Sequence, residues 1–270
     1  MPELPEVETV ARQLRPCLVE RTVLRFRIHD PRLRNGKTPS VAGKSIVRVT
    51  RSGKRVLIEF ASANRTAKPL WLAVHLRMTG RLTWAAESAR IDRSHLRASF
   101  RLDRGSLLFI DTRRFGTFDW YRSRERAAPS GTDPLSDEFT RRKLAELTGG
   151  ARQNVKAWLL RQDRLVGLGN IYVSEILHAA RISPFRIAAS LDRAELARLH
   201  GWIRRILERA IDNCGTTFSD FQDARGLEGS YQQFLAVYSR EGQACPRCAE
   251  PILREVQQQR STFHCVGCQK

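Results

Sequence analysis

The most restrictive feature of this chain is a pair of short cysteine motifs near its end. Cys245-Pro-Arg-Cys248 and Cys265-Val-Gly-Cys268 are separated by sixteen residues. Two such knuckles close a tetrahedral thiolate site of the zinc-ribbon kind. One structural Zn2+ is therefore expected on Cys245, Cys248, Cys265 and Cys268. Four thiolates complete a closed site, so His264 beside them is not needed as a ligand and no position remains for a catalytic water. A disulfide reading fits poorly, because acidic residues stand where a secretion signal would need a basic region and an apolar core. The insert from Pro251 to His264 should be a β-hairpin, with Arg254, Gln257, Gln258, Gln259 and Arg260 toward its tip. It reads either as a solvated hairpin or as a rigid finger that brings arginine to a phosphate. Cys17 and Cys214 are left over as inert thiols.

Charge narrows the partner. Lysine and arginine number 47 against 28 acidic residues in 270, a net charge of +19 with a pI near 10.8. The excess is spread along the chain, which argues for a polyanion, nucleic acid above all. No apolar run approaches the ~18 residues of a membrane span. The expectation is a cytoplasmic, nucleoid-associated protein with no nucleotide cofactor, acting as a monomer.

Hydrophobic spacing divides the chain. Val7, Val10, Ala11 and Leu14 form a helical stripe that Pro16 should end. Period-two patterning then runs through Val23–Ile28, Arg55–Phe60, Leu70–Leu76, Leu96–Leu102 and Ser106–Ile110, which suits an antiparallel sandwich or barrel. Arg122 to Asp137 lose the pattern and read as a linker. Helices follow at Asn154–Arg161, at Ile171 to about Ala180 with Asn170 as cap, and along Leu196–Ala210. Gly215 to Gln233 reads as a long irregular loop, often functional. The fold class expected is α+β and multidomain: a β-sandwich with helices in 1–128, a helical domain with the loop in 129–235, and a zinc-ribbon hairpin in 236–270.

Against this frame a few residues carry chemistry. Removal of Met1 would leave Pro2 as a terminal secondary amine next to the Glu3 carboxylate. An α-amino group titrates near ~7.7–8.0 against ~10.4 for lysine, so much more of it is nucleophilic at neutral pH. Taken alone, Met-Pro reads first as an ordinary start and Glu3 as a solvated charge. Gly167-Leu-Gly169-Asn170 opens a helix, either as a tight turn or as a phosphate grip through exposed amides and Asn170. A dinucleotide site is disfavoured because no strand precedes it. Asp111-Thr-Arg113-Arg114-Phe115-Gly116 could push side chains into a duplex or simply pack as a β-turn. Lys54 opens a strand after Gly53 and could reach a phosphate or donate a proton.

Taken together, these stretches resemble the bacterial formamidopyrimidine-DNA glycosylases. The resemblance rests on Met1 to Thr9, His75-Leu-Arg-Met-Thr-Gly80, Asp111 to Gly116, Gly169-Asn-Ile-Tyr-Val-Ser-Glu175, Gly215-Thr-Thr217, and Gln259 to Cys265 with the cysteines. It implies a β-sandwich, a helix-two-turns-helix domain and a zinc finger clasping double-stranded DNA that carries oxidised bases or abasic sites. Pro2 would attack the sugar C1′ and Glu3 would act as acid and base. Lys54 matches a lysine near the lesion, and Arg260 the finger arginine. Met78, Arg113 and Phe115 match side chains that fill the vacated stack, Lys156 and Asn170 match phosphate-gripping positions, and Gly215 to Tyr231 a loop over the everted base. Arg93-Ser94-His95 stands where the family often has two histidines, so Arg93 and His95 are the expected DNA contacts there; Arg55 replaces a usual aromatic. The implied activity is a glycosylase and AP lyase for oxidised purines. Two alternatives are the endonuclease VIII-like branch that prefers oxidised pyrimidines, and a non-catalytic protein that recognises damaged duplex. A metal-dependent nuclease is disfavoured, since no carboxylate or histidine cluster offers an open metal site.

Overall fold

The computed structural model describes residues 1–34, 36, 38–61, 69–217 and 221–270. They form two compact units: 1–129 with 213–230, and 130–212 with 231–270.

The first unit begins with helix α1 (Leu4–Leu18), whose Val7, Val10, Ala11, Leu14 and Leu18 are buried. Pro16 does not end it. A proline so near the C-terminus removes one hydrogen bond, and the burial of Leu14 and Leu18 on either side carries the last turn past it. Eight strands follow: β1 (Val23–Ile28), β2 (Ser45–Ser52), β3 (Arg55–Ala61), β4 (Leu70–His75), β5 (Gly80–Ala85), β6 (Leu96–Leu102), β7 (Ser106–Asp111) and β8 (Thr117–Tyr121). They pair antiparallel in two four-stranded sheets, ordered β1-β6-β7-β5 and β2-β3-β4-β8. The two sheets meet through aromatic rings. Phe100 on one lies 6.0 Å from Phe60 and 6.4 Å from Phe118 on the other, and Phe109 lies 4.9 Å from Phe118. Each such ring contributes about 1.5–3 kcal/mol by burial alone. The architecture is the expected sandwich.

Three of these strands escaped the period-two reading. In β2 the register slips between Ile46 and Arg48, so its buried residues, Ile46 and Val49, fall three apart. A bulge of this kind erases the alternation. β5 and β8 are short and half-exposed. β4 is buried on both faces: Leu70, Leu72 and Val74 join the sandwich core, while Trp71 and Ala73 pack with Ala127. Ala127 ends α2 (Arg124–Ala127), a short helix inside the stretch expected to be plain linker, with Ser123 as its N-cap.

The second unit holds α3 (Arg141–Thr148), α4 (Val155–Leu159), α5 (Asn170–Ala180), α6 (Arg193–Asp212) and a hairpin of β9 (Leu253–Gln257) and β10 (Arg260–His264). α3 buries only Leu144 and Thr148, too thin a stripe to announce itself in sequence. In α6, Leu199, Ile203, Ile206, Leu207 and Ala210 are buried at helical spacing. The Gly167 turn is buried and its amide donates to the Gln162 side chain at 2.9 Å. Among the described residues no helix is long and apolar enough to cross a membrane.

Candidate active site and metal centre

Pro2 and Glu3 are buried, whereas Met1 is exposed. The cause is the start of α1. Glu3 is the N-cap residue and closes a capping box with Glu6, whose Oε2 accepts the Glu3 N–H at 2.7 Å. Glu6 is 1% exposed, and its other oxygen accepts the Thr216 N–H at 2.8 Å. One carboxylate thus fixes the terminus and the 213–230 segment at once. That segment has no helix or strand among its described residues. It is pinned again where Gln13 of α1 donates to Asp223 at 2.7 Å and accepts the Ala224 N–H at 3.0 Å. Residues 218–220 of the expected base-covering loop lie outside the described residues.

Lys54 is buried in the two-residue turn that joins β2 to β3, rather than within the strand. Arg51 ties this turn to α1, with Nε 2.9 Å from Glu8 and Nη1 donating to the Gly53 carbonyl at 3.3 Å. Close by, burial together with Arg77, Arg55 and Lys54 pushes His75 down to about 3. It stays neutral, and its Nδ1 accepts the Arg77 N–H at 3.0 Å.

Met78, Arg113 and Phe115 come together as an exposed cluster. Met78 and Phe115 are 42% and 49% exposed, unusual for large apolar side chains in a folded unit. The Arg113 guanidinium lies 4.8 Å above the Phe115 ring, with Nη1 3.3 Å from Met78 Sδ. Their support is the buried Asp111, which accepts from Thr79 Oγ1 and from the Gly116 N–H at 2.8 Å. Thr79 Oγ1 in turn accepts the Arg113 N–H at 3.1 Å. Arg114 points away and forks onto Asp30 at 2.6 Å through both nitrogens, holding that carboxyl at about 2. Arg93 and His95 are both exposed, and the Asp111 N–H donates to the His95 carbonyl at 3.0 Å.

In the second unit Gly169, not Asn170, is the N-cap of α5. Asn170 is the first helical residue, and its Nδ2 donates to the Ser261 carbonyl at 2.9 Å. Lys156 reaches the same carbonyl at 2.9 Å and Thr262 Oγ1 at 2.6 Å. It is 1% exposed, and burial, with Arg260 nearby, lowers its pKa to about 8. Arg260 itself is exposed at the start of β10, after a turn whose Gln258 and Gln259 have φ of 49° and 59°. Two positive φ values define a type I′ hairpin, a conformation glutamine adopts only under constraint. Arg254, expected near the tip, lies within β9. A groove of about 620 Å³ opens here, lined by Asn170, Tyr238, Arg254, Arg260 and Phe263.

The four cysteines converge, with all ligand atoms within 4.8 Å of one another. Cys245 Sγ is 3.8 Å from Cys268 Sγ, and Cys248 Sγ 3.3 Å from Cys265 Sγ. A tetrahedron with metal–sulfur bonds of ~2.3 Å requires sulfurs about 3.8 Å apart, so the set fits a metal ion of the zinc class. His264 turns aside to Glu255 at 2.8 Å. The segment ahead of the first knuckle is held on α5 by Glu175, whose carboxylate accepts the N–H groups of Ala236, Val237 and Tyr238 at 2.8, 3.0 and 2.8 Å.

Glu6, Asp111, Arg51 and Glu175 were not singled out from sequence. Only Glu6 had a readable signal, its place three residues after a capping Glu3. The others act across strands and helices that spacing does not connect.

A helix-capped β-sandwich with an exposed arginine–aromatic cluster, together with a helical unit carrying a four-cysteine ribbon, defines a class of multidomain α+β proteins. Family comparison narrows it. Residues 1–118 match the formamidopyrimidine-DNA glycosylase N-terminal domain, and 130–222 the H2TH domain of the same enzymes. The formamidopyrimidine-DNA glycosylase of Moorella thermoacetica is 41% identical over 265 residues, covering 94% of each chain. The Fpg (MutM) structure from Thermus thermophilus superposes with a TM-score of 0.85 at 38% identity, over 99% of this chain and 98% of that one. The Lactococcus lactis protein, solved with DNA containing an oxidised pyrimidine, gives 0.87 at 30% identity over 100% of both. The chain belongs to the formamidopyrimidine-DNA glycosylase family.

Proposed function

We propose that the protein is a bifunctional DNA glycosylase and AP lyase that removes oxidised purines such as 8-oxoguanine and formamidopyrimidines. The observation that carries this reading is the buried, capped terminus. An amine used as a nucleophile must be held in place, and the Glu3–Glu6 capping box does so at the residue next to Pro2. Once Met1 is removed, the Pro2 nitrogen attacks C1′ of an everted nucleotide and the base departs with a proton. The ring-opened product is an iminium that is cationic without protonation, an electron sink for the eliminations that follow. The 3′ phosphate leaves first and then the 5′ phosphate, with Glu3 moving protons. Lys54 lies in a fixed turn and supplies a cation near the lesion. Met78, Arg113 and Phe115 enter the stack in place of the lost base, work suited to their exposure and mutual contact. Arg93 and His95 contact the backbone beside them.

Asn170 and Arg260 serve the phosphates through the finger groove. Lys156, expected beside them, is buried; it and Asn170 share the Ser261 carbonyl and so support the strand that carries Arg260. Zinc on Cys245, Cys248, Cys265 and Cys268 supplies shape and no chemistry. Oxidised pyrimidines are the second reading, favoured by the oxidised-pyrimidine DNA bound in the Lactococcus lactis complex.

Borohydride reduction of the mature protein with an oligonucleotide bearing 8-oxoguanine opposite cytosine should yield a covalent adduct through Pro2. No adduct would exclude the amine mechanism and favour a binding protein. Thymine glycol as the parallel substrate separates purine from pyrimidine preference.

A further inference from the structure

We propose that His178 is a positioning residue of the metal centre, donating a hydrogen bond to the Cys245 sulfur and binding helix α5 to the loaded site. This rests on the reading of the four cysteines as a zinc centre. His178 lies in the last turn of α5 and is 3% exposed, with Nε2 3.3 Å from Cys245 Sγ. A metal-bound thiolate carries no proton, so the hydrogen between the two atoms belongs to Nε2. Cys245 is buried, and water cannot replace the donor. The carbonyl of His178 is held by Arg247 Nη1 at 3.1 Å, inside the first cysteine knuckle, so the ring and the knuckle are fixed to each other from two sides.

The charge of the site explains the need. Four thiolates around a divalent ion leave two net negative charges, and in a partly buried position these require hydrogen-bond donors. His264 is the obvious candidate by sequence, yet it is engaged by Glu255. His178, 67 residues before Cys245 in the chain, takes the role. The same helix starts at Asn170 on the hairpin carbonyl of Ser261, so α5 touches the finger at the metal and at the hairpin.

The test uses the full chain, native and with His178→Phe, which keeps an aromatic ring but no donor, and His178→Gln, which keeps a donor. Zinc content, release to a chromogenic chelator and the spectrum of the cobalt-substituted protein are measured. We expect His178→Phe to bind one zinc but release it faster, with affinity lower by about 10–100-fold, the usual effect of losing such a partner. Its sulfur-to-cobalt charge-transfer band should move to longer wavelength, and His178→Gln should recover part of both changes. Unchanged release and an unchanged band in His178→Phe overturn the proposal. If the native protein holds neither zinc nor cobalt, the zinc reading fails, and the inference with it. Should His178→Phe not fold, nitrogen NMR of the native zinc protein decides: a protonated Nε2 supports the bond, and the opposite tautomer overturns it.

Discussion

Single side chains do the positioning in this protein, and most of them are charged groups in buried places. His75 is one whose protonation is coupled to folding. In the folded chain its pKa is about 3, against ~6.5 when unfolded. Between those values the unfolded state binds the extra proton, so its contribution to stability is full above about pH 6.5 and falls as pH drops toward 3. The slope is about 1.4 kcal/mol per pH unit for one such group. Melting temperatures measured from neutral into mildly acidic buffer should therefore decline, and His75→Asn should flatten the curve; equal slopes in both proteins would refute the assignment. Sequence alone brought out Pro2, Glu3 and the cysteines, because each sits in a motif whose chemistry depends on neighbours in the chain. Asp111 and Arg51 stayed hidden. Their partners Thr79 and Glu8 are 32 and 43 residues away, and nothing in local spacing joins them.

Among the elements, α1 and the 213–230 segment behave as one device. Gly215 has φ +80°, and a Cβ there would lie 2.7 Å from Glu6 Oε1. Gly215→Ala should consequently displace the carboxylate that orders Glu3. We expect a loss of about 1–3 kcal/mol in stability, from strain at a left-handed position, and a slower borohydride-trapping rate than in the unaltered protein. Denaturant titration and trapping kinetics check both; wild-type trapping would show that Glu6 does not set the geometry of Pro2. Helix α6 and strand β6 were legible because their apolar residues repeat at one period. β2 was not, owing to its bulge, nor α3, which buries too little. The cap of α5 was misplaced by one residue: Gly169 is the N-cap, and Asn170, a good capping residue by type, is the first helical residue with its Nδ2 donating to the Ser261 carbonyl.

At the scale of the whole molecule, net charge governs how duplex binding should respond to salt. With +19 spread over both units, duplex binding should release many counterions. Affinity for undamaged duplex is expected to fall by about 10³-fold or more between roughly 50 and 200 mM salt. Fluorescence anisotropy across that range checks it, and a flat dependence would contradict phosphate-dominated binding. The interleaving of the units has a consequence for synthesis. Residues 213–230 return to the first unit after the chain has built most of the second. On a ribosome, where segments fold as they emerge, the core of the first unit lacks Phe221 and Ala224 until that return. Glu6 meets Thr216 only 210 residues after it is made. A nascent chain therefore carries a Glu6 carboxylate that Thr216 has not yet fixed, and that bond forms only after the residues of α4 and α5 have emerged.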